Sequence, residues 1–177
     1  MRQVRNFLLT FLLLVPTIAF AHGPTRQKLS LAVDVKAPPA EVWAVIGNFQ
    51  DMSWHPAVFS TTGQGDNAID ATRVLTLGKE GGPTIAEVLY KYDATKMSYS
   101  YRITDVDVAV LPVTNYSSHL TVSPTANGGS HIEWRGAFYR GYPNNEPPEN
   151  LNDAAAIAAV TAIYKAGLDA LEAKFGQ

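Results

Sequence analysis

Residues 28–35, KLSLAVDV, alternate in character, with Leu29, Leu31, Val33 and Val35 pointing one way and Lys28, Ser30 and Asp34 the other. Strand side chains alternate between faces, so this run predicts a strand with one buried face. The period then changes. In KAPPAEVWAVIGNF, Pro38 and Pro39 suit the opening of a helix, Val42, Trp43 and Ile46 form its apolar stripe, and Gly47 and Asn48 are placed to end it. Beyond a turn-rich DMSWHP, period-two patterning predicts six more strands: VFSTTGQGDN, TRVLTL, TIAEVLYKY, MSYSYRIT, TNYSSHLTV and HIEWRGAFY. Gly81-Gly82-Pro83, YDATKM and PTANGGS supply turns between them. After a loop rich in proline and asparagine, Asn152 to Phe175 runs without proline. There Ile157, Val160, Tyr164, Leu168, Leu171 and Phe175 step by three or four, which predicts a long amphipathic helix of about six turns.

This order predicts an α+β fold in one domain: a curved antiparallel sheet of about six to seven strands wrapped on a long C-terminal helix. Such a sheet must cover one face, and the helix is the available cover. Curving the sheet around it leaves a space where a ligand would sit.

The first residues stand apart. MRQVRNFLLTFLLLVPTIAFA has a basic start, an apolar run too short for a ~30 Å hydrocarbon core, and the small-residue end Ala19-Phe20-Ala21. It reads as a secretory signal peptide over residues 1–21, with the domain occupying 22–177. The expected location is therefore outside the cytoplasm, and no other segment reads as a membrane span. Without the leader the chain carries 12 basic and 16 acidic residues, a formal charge of about −4, and has no basic cluster to suit nucleic acid. There is no cysteine, so neither a disulfide framework nor a thiolate site is available. No histidine or carboxylate spacing suggests a metal, no glycine pattern suggests a nucleotide, and no cofactor is expected.

The chain resembles the SRPBCC superfamily (START and Bet v 1-like, polyketide cyclase-like, helix-grip proteins). The resemblance rests on the order of elements, on PPAEVWAVIGNF followed by WHP, on Arg73 and Glu87 in successive strands, on YDATKMSYSYRI and on HIEWRGAF. It implies a helix-grip fold and a cavity for a small hydrophobic molecule. Within the superfamily the chain is similar to the exported MxaD-like proteins of methanol-oxidising bacteria. That similarity implies a periplasmic accessory to alcohol oxidation, with an oxidoreductase or cytochrome as partner. It also resembles plant lachrymatory factor synthases around WHP, Arg73, Glu87, Tyr99 and Trp134, where the matching arginine and glutamate carry the reaction.

Alternation directs Arg73, Glu87, Tyr99, Tyr101, Tyr116, Ser118 and Trp134 to the buried side. Glu87 is placed there by Ile85 and Leu89. A lone buried carboxylate is costly, so Arg73, which cannot lose its charge, is its expected partner. Pairing is expected to lower the Glu87 pKa. These residues, with Trp54 as packing or a gate, are the candidate ligand-binding set, and Glu87 and Arg73 are catalytic only if the protein is an enzyme. His55 is expected to be structural or exposed. Three functions stay open: a binder of small hydrophobic molecules, a cofactor-free isomerase, cyclase or lyase, and an interaction module with a filled cavity.

Overall fold

The computed structural model describes residues 23–176, so the expected signal peptide lies outside the described residues. Seven strands and two α-helices follow in the predicted order: β1 (Gln27–Val35), α1 (Pro39–Ile46), β2 (Val58–Gln64), β3 (Thr72–Leu77), β4 (Thr84–Asp93), β5 (Ser98–Val106), β6 (Val113–Pro124), β7 (Ser130–Arg140) and α2 (Asp153–Phe175). A single 3₁₀ turn, Glu149–Leu151, precedes α2.

The strands form one antiparallel sheet in the order β1-β7-β6-β5-β4-β3-β2. From β2 to β7 each strand pairs with the next in sequence, so the long-range step is β1 to β7. The connection through α1 carries the chain from one edge of the sheet to the other. Register irregularities in β2, β4 and β6 mark bulges, which bend strands and increase their twist.

Local chemistry fixes the helix ends. Pro38 and Pro39 occupy the start of α1, where a missing N–H removes no helical hydrogen bond, and the Gly47 N–H donates to the Trp43 carbonyl at the end. In α2 the Asn152 side chain caps the first turn by accepting from the Ala155 N–H at 2.8 Å. This helix packs on β1 and β7. Its buried face is Ala156, Val160, Tyr164, Gly167, Leu168, Leu171 and Phe175. Ile157 departs from the expected stripe: it is exposed, and Ala156 takes the inward place. By length and composition α2 is apolar enough to cross a membrane, contrary to the sequence reading, with a mean hydropathy of 1.4 over an 18-residue window. About a third of that window is buried in the protein's own core. Met97, expected to begin β5, has φ of 47° and belongs to the turn before it.

Candidate functional site

The inward faces of the strands match the alternation. Arg73 and Glu87 sit directly opposite one another across β3 and β4, and Tyr101 of β5 faces Ser118 of β6, which faces Gly136 of β7. Between this surface, α2 and the 52–58 segment lies a cavity with about 70 Å³ of space for the centres of water-sized molecules. Apolar aliphatic side chains from β2, β3, β4, β5, α2, the 52–57 segment and Leu111 make most of its wall, and Glu87, Tyr101, Tyr116, Tyr164, Trp134 and His55 are its polar or aromatic members.

Arg73 is sealed behind Glu87 and does not line the cavity. Its Nε donates to Glu87 Oε2 at 2.6 Å and its Nη1 to the Phe49 carbonyl at 2.7 Å. The guanidinium lies over the Phe49 ring at 4.2 Å and the Tyr101 ring at 5.0 Å, an arrangement favourable for a cation and available to a planar one. Among the described residues its enclosed Nη2 has no hydrogen-bond partner. Burial pushes the Glu87 carboxyl above its ordinary value, against the charge and hydrogen bond of Arg73, so burial outweighs the lowering expected from the pair alone. Arg73 keeps its charge throughout, its own pKa held above the ordinary value by Glu87 despite burial. Protonating Glu87 would leave that buried charge uncompensated, so the contact is an ion pair around neutral pH.

A second polar cluster runs beneath the aromatic wall. Tyr116 and Tyr164 hydroxyls are 2.6 Å apart, Ser118 Oγ is 2.9 Å from Tyr164, and Trp134 Nε1 donates to Ser118 Oγ at 2.8 Å and to the Tyr101 hydroxyl at 3.1 Å. The indole of Trp134 stacks on Tyr164 with centroids 4.4 Å apart. Gly136 makes this possible, since a Cβ there would collide with the Tyr164 hydroxyl. Burial raises the pKa of all four cavity-region tyrosines, 99, 101, 116 and 164, so each is a neutral phenol.

Of the expected set, Glu87, Tyr101, Tyr116 and Trp134 come together on the cavity. Ser118 holds Trp134 and Tyr164 in place from behind. Tyr99 packs its ring among Trp43, Phe49 and Tyr101 instead of reaching the cavity wall. Trp54 lies against His55 and Trp134 at ring distances of 5.7 Å, outside the lining.

Two of the polar or aromatic cavity residues were outside the candidate set. His55 is only 2% exposed, contrary to the alternative of an exposed ring, and it lines the space. Its Nδ1 accepts from the Ala57 N–H at 3.2 Å, which assigns the proton to Nε2, 3.0 Å from the Ile163 carbonyl. Burial lowers its pKa, so the ring is neutral. Nothing in WHP marked it, because its partners are backbone groups. Tyr164 was visible only as one position of an apolar stripe, where its hydroxyl carried no signal. Among the described residues no group of three or more His, Cys, Asp or Glu side chains is placed to hold a metal ion.

A family model described as "Polyketide cyclase / dehydrase and lipid transport" matches residues 26–176. The major allergen Dau c 1 of Daucus carota is 31% identical over 106 residues, which span 58% of this chain and just under two thirds (66%) of that protein. Among solved structures, the protein XoxI from Bacillus cereus is 29% identical with a TM-score of 0.70, covering 84% of this chain and 94% of that one. An uncharacterised protein from Bacillus thuringiensis is 28% identical with a TM-score of 0.69, covering 84% and 98%.

Proposed function

Because the chain belongs to the polyketide cyclase / dehydrase and lipid transport family, we propose that it binds a small hydrophobic molecule in the cavity between the sheet and α2. The observation that carries this reading is Glu87, a buried carboxylate on the wall of an otherwise mainly apolar space with Arg73 paired to it from behind. An ion pair contributes little to stability there that packed hydrophobic side chains would not, since desolvation offsets most of the attraction. The exposure of Glu87 to the cavity supports a polar anchor, with the aliphatic lining supplying affinity and the anchor supplying orientation. With about 70 Å³ open to the centres of water-sized molecules, well above the ~10–15 Å³ that admits a single water, the space suits a small ligand.

The finer reading is an exported protein, freed of residues 1–21 and working in the periplasm beside an oxidoreductase or cytochrome of alcohol oxidation. Its support is the leader and the MxaD-like resemblance. An enzymatic reading draws on the same Glu87, which could hold or move a proton at a bound molecule while Arg73 balances charge.

Ala57 is exposed and lines the cavity, so a bulky side chain there is expected to obstruct the space without replacing a core residue. Binding of small cyclic hydrocarbons and alcohols, followed by thermal shift, is expected in the wild type and is lost in Ala57→Trp with the unliganded Tm unchanged. Equal shifts in the two proteins would place binding elsewhere and remove this reading.

A further inference from the structure

We propose that the cavity selects molecules bearing a hydroxyl group and grips that hydroxyl between Tyr101 and Glu87. This inference rests on the binding reading above and names its ligand class.

It follows from placing the protons of the buried network. Ser118 Oγ donates its single proton to the Arg135 carbonyl at 2.8 Å. It therefore only accepts from its other two neighbours, Trp134 Nε1 and the Tyr164 hydroxyl. Tyr164, having donated to Ser118, accepts from Tyr116. Trp134 has one N–H, shared between the oxygens of Ser118 and Tyr101, so Tyr101 is an acceptor on that side. Every hydroxyl proton in this network is then placed except that of Tyr101, which donates no hydrogen bond among the described residues.

Glu87 offers the complement. Arg73 occupies Oε2, and Oε1 receives no hydrogen bond among the described residues, nor is it among the sealed polar atoms of the interior. Both side chains line the cavity, and no hydrogen bond joins them. They are nonetheless close enough for the Glu87 charge to raise the Tyr101 pKa further than burial does alone. The cavity thus presents one donor and one charged acceptor, both on its wall and not bonded to each other.

A hydroxyl answers both, accepting from Tyr101 while donating to Glu87. A carbonyl accepts from Tyr101 but sets its lone pairs toward the carboxylate. An ammonium satisfies Glu87 and offers Tyr101 no lone pair. A hydrocarbon leaves both groups unmet, and a carboxylate is repelled.

The test is a titration with cyclohexanol, cyclohexanone and methylcyclohexane, three molecules of matching size, followed by protein NMR shifts. Cyclohexanol is expected to bind tightest, by roughly tenfold over the ketone, the scale of one hydrogen bond to a charged group. In Glu87→Gln the amide oxygen turns to Arg73 and the NH₂ to the cavity, so the alcohol loses its advantage over the ketone. In Tyr101→Phe both oxygenated ligands weaken while methylcyclohexane holds. The wild-type series decides even if a variant fails to fold. Equal affinity for the three ligands overturns hydroxyl selection and leaves an apolar binding site. No binding by any of them overturns the binding reading together with this inference.

Discussion

Arg73 shows how much a single residue's chemistry can carry. Removing one partner of a buried pair leaves the other charge stranded, so Arg73→Met is expected to cost ~3–5 kcal/mol in denaturant unfolding, while Arg73→Met with Glu87→Met recovers most of that loss. Similar losses in the single and double variants would show that the two residues do not act as a pair. His55 sets a pH dependence. Its folded pKa lies below the ordinary 6.5, so the unfolded chain binds more protons in the interval between them. The His55 contribution is present above pH 6.5 and is lost as pH falls from 6.5 through the folded pKa. Comparing Tm against pH in the wild type and His55→Gln, the variant should show a shallower loss below pH 6.5; identical slopes would contradict the assignment. The pair itself was legible in the sequence because alternation and charge balance both demanded it. The direction of the Glu87 shift was not, since it depends on how completely the pair is enclosed, and neither was His55, whose partners are a helix carbonyl and a backbone N–H.

At the scale of elements, strand parity was read correctly almost throughout, because a one-residue slip would turn every apolar side chain outward. Bulges and helix rotation were harder to see. The irregularity between Thr114 and Ser117 in β6 lets Val113 and Tyr116 both face inward, three residues apart, which no strict alternation predicts. The stripe of α2 was drawn through Ile157, whereas the helix is turned so that Ala156 and Gly167 face the sheet. Gly167 did not enter the predicted stripe, although it is a position where aromatic side chains approach. A Cβ on Gly167 would come 2.7 Å from His55 Cδ2 and 2.9 Å from the Trp134 ring. Exposed glycine-to-alanine changes in a helix are worth ~1 kcal/mol of stabilisation. Gly167→Ala is expected to reverse that sign, lowering stability by about 1–3 kcal/mol through overpacking. A stabilised variant would mean that His55 and Trp134 yield freely and do not form a fixed wall.

For the whole molecule, the sheet-and-helix architecture was legible because each level of pattern pointed to one topology: two periodicities, turn chemistry, and one helix long enough to cover the sheet. Cavity size was not legible, since it is the small remainder after curvature, bulges and rotamers are fixed. That remainder is the central claim: a space kept open for a small molecule and given one charged contact. Its most direct measurement is native mass spectrometry of the protein purified from its own cells without organic solvent, set beside Ala57→Trp purified the same way. The account predicts a mature chain beginning at His22, carrying a reproducible small excess mass that is absent from the plugged variant. A bare mass in both proteins, or the same excess in both, would contradict it.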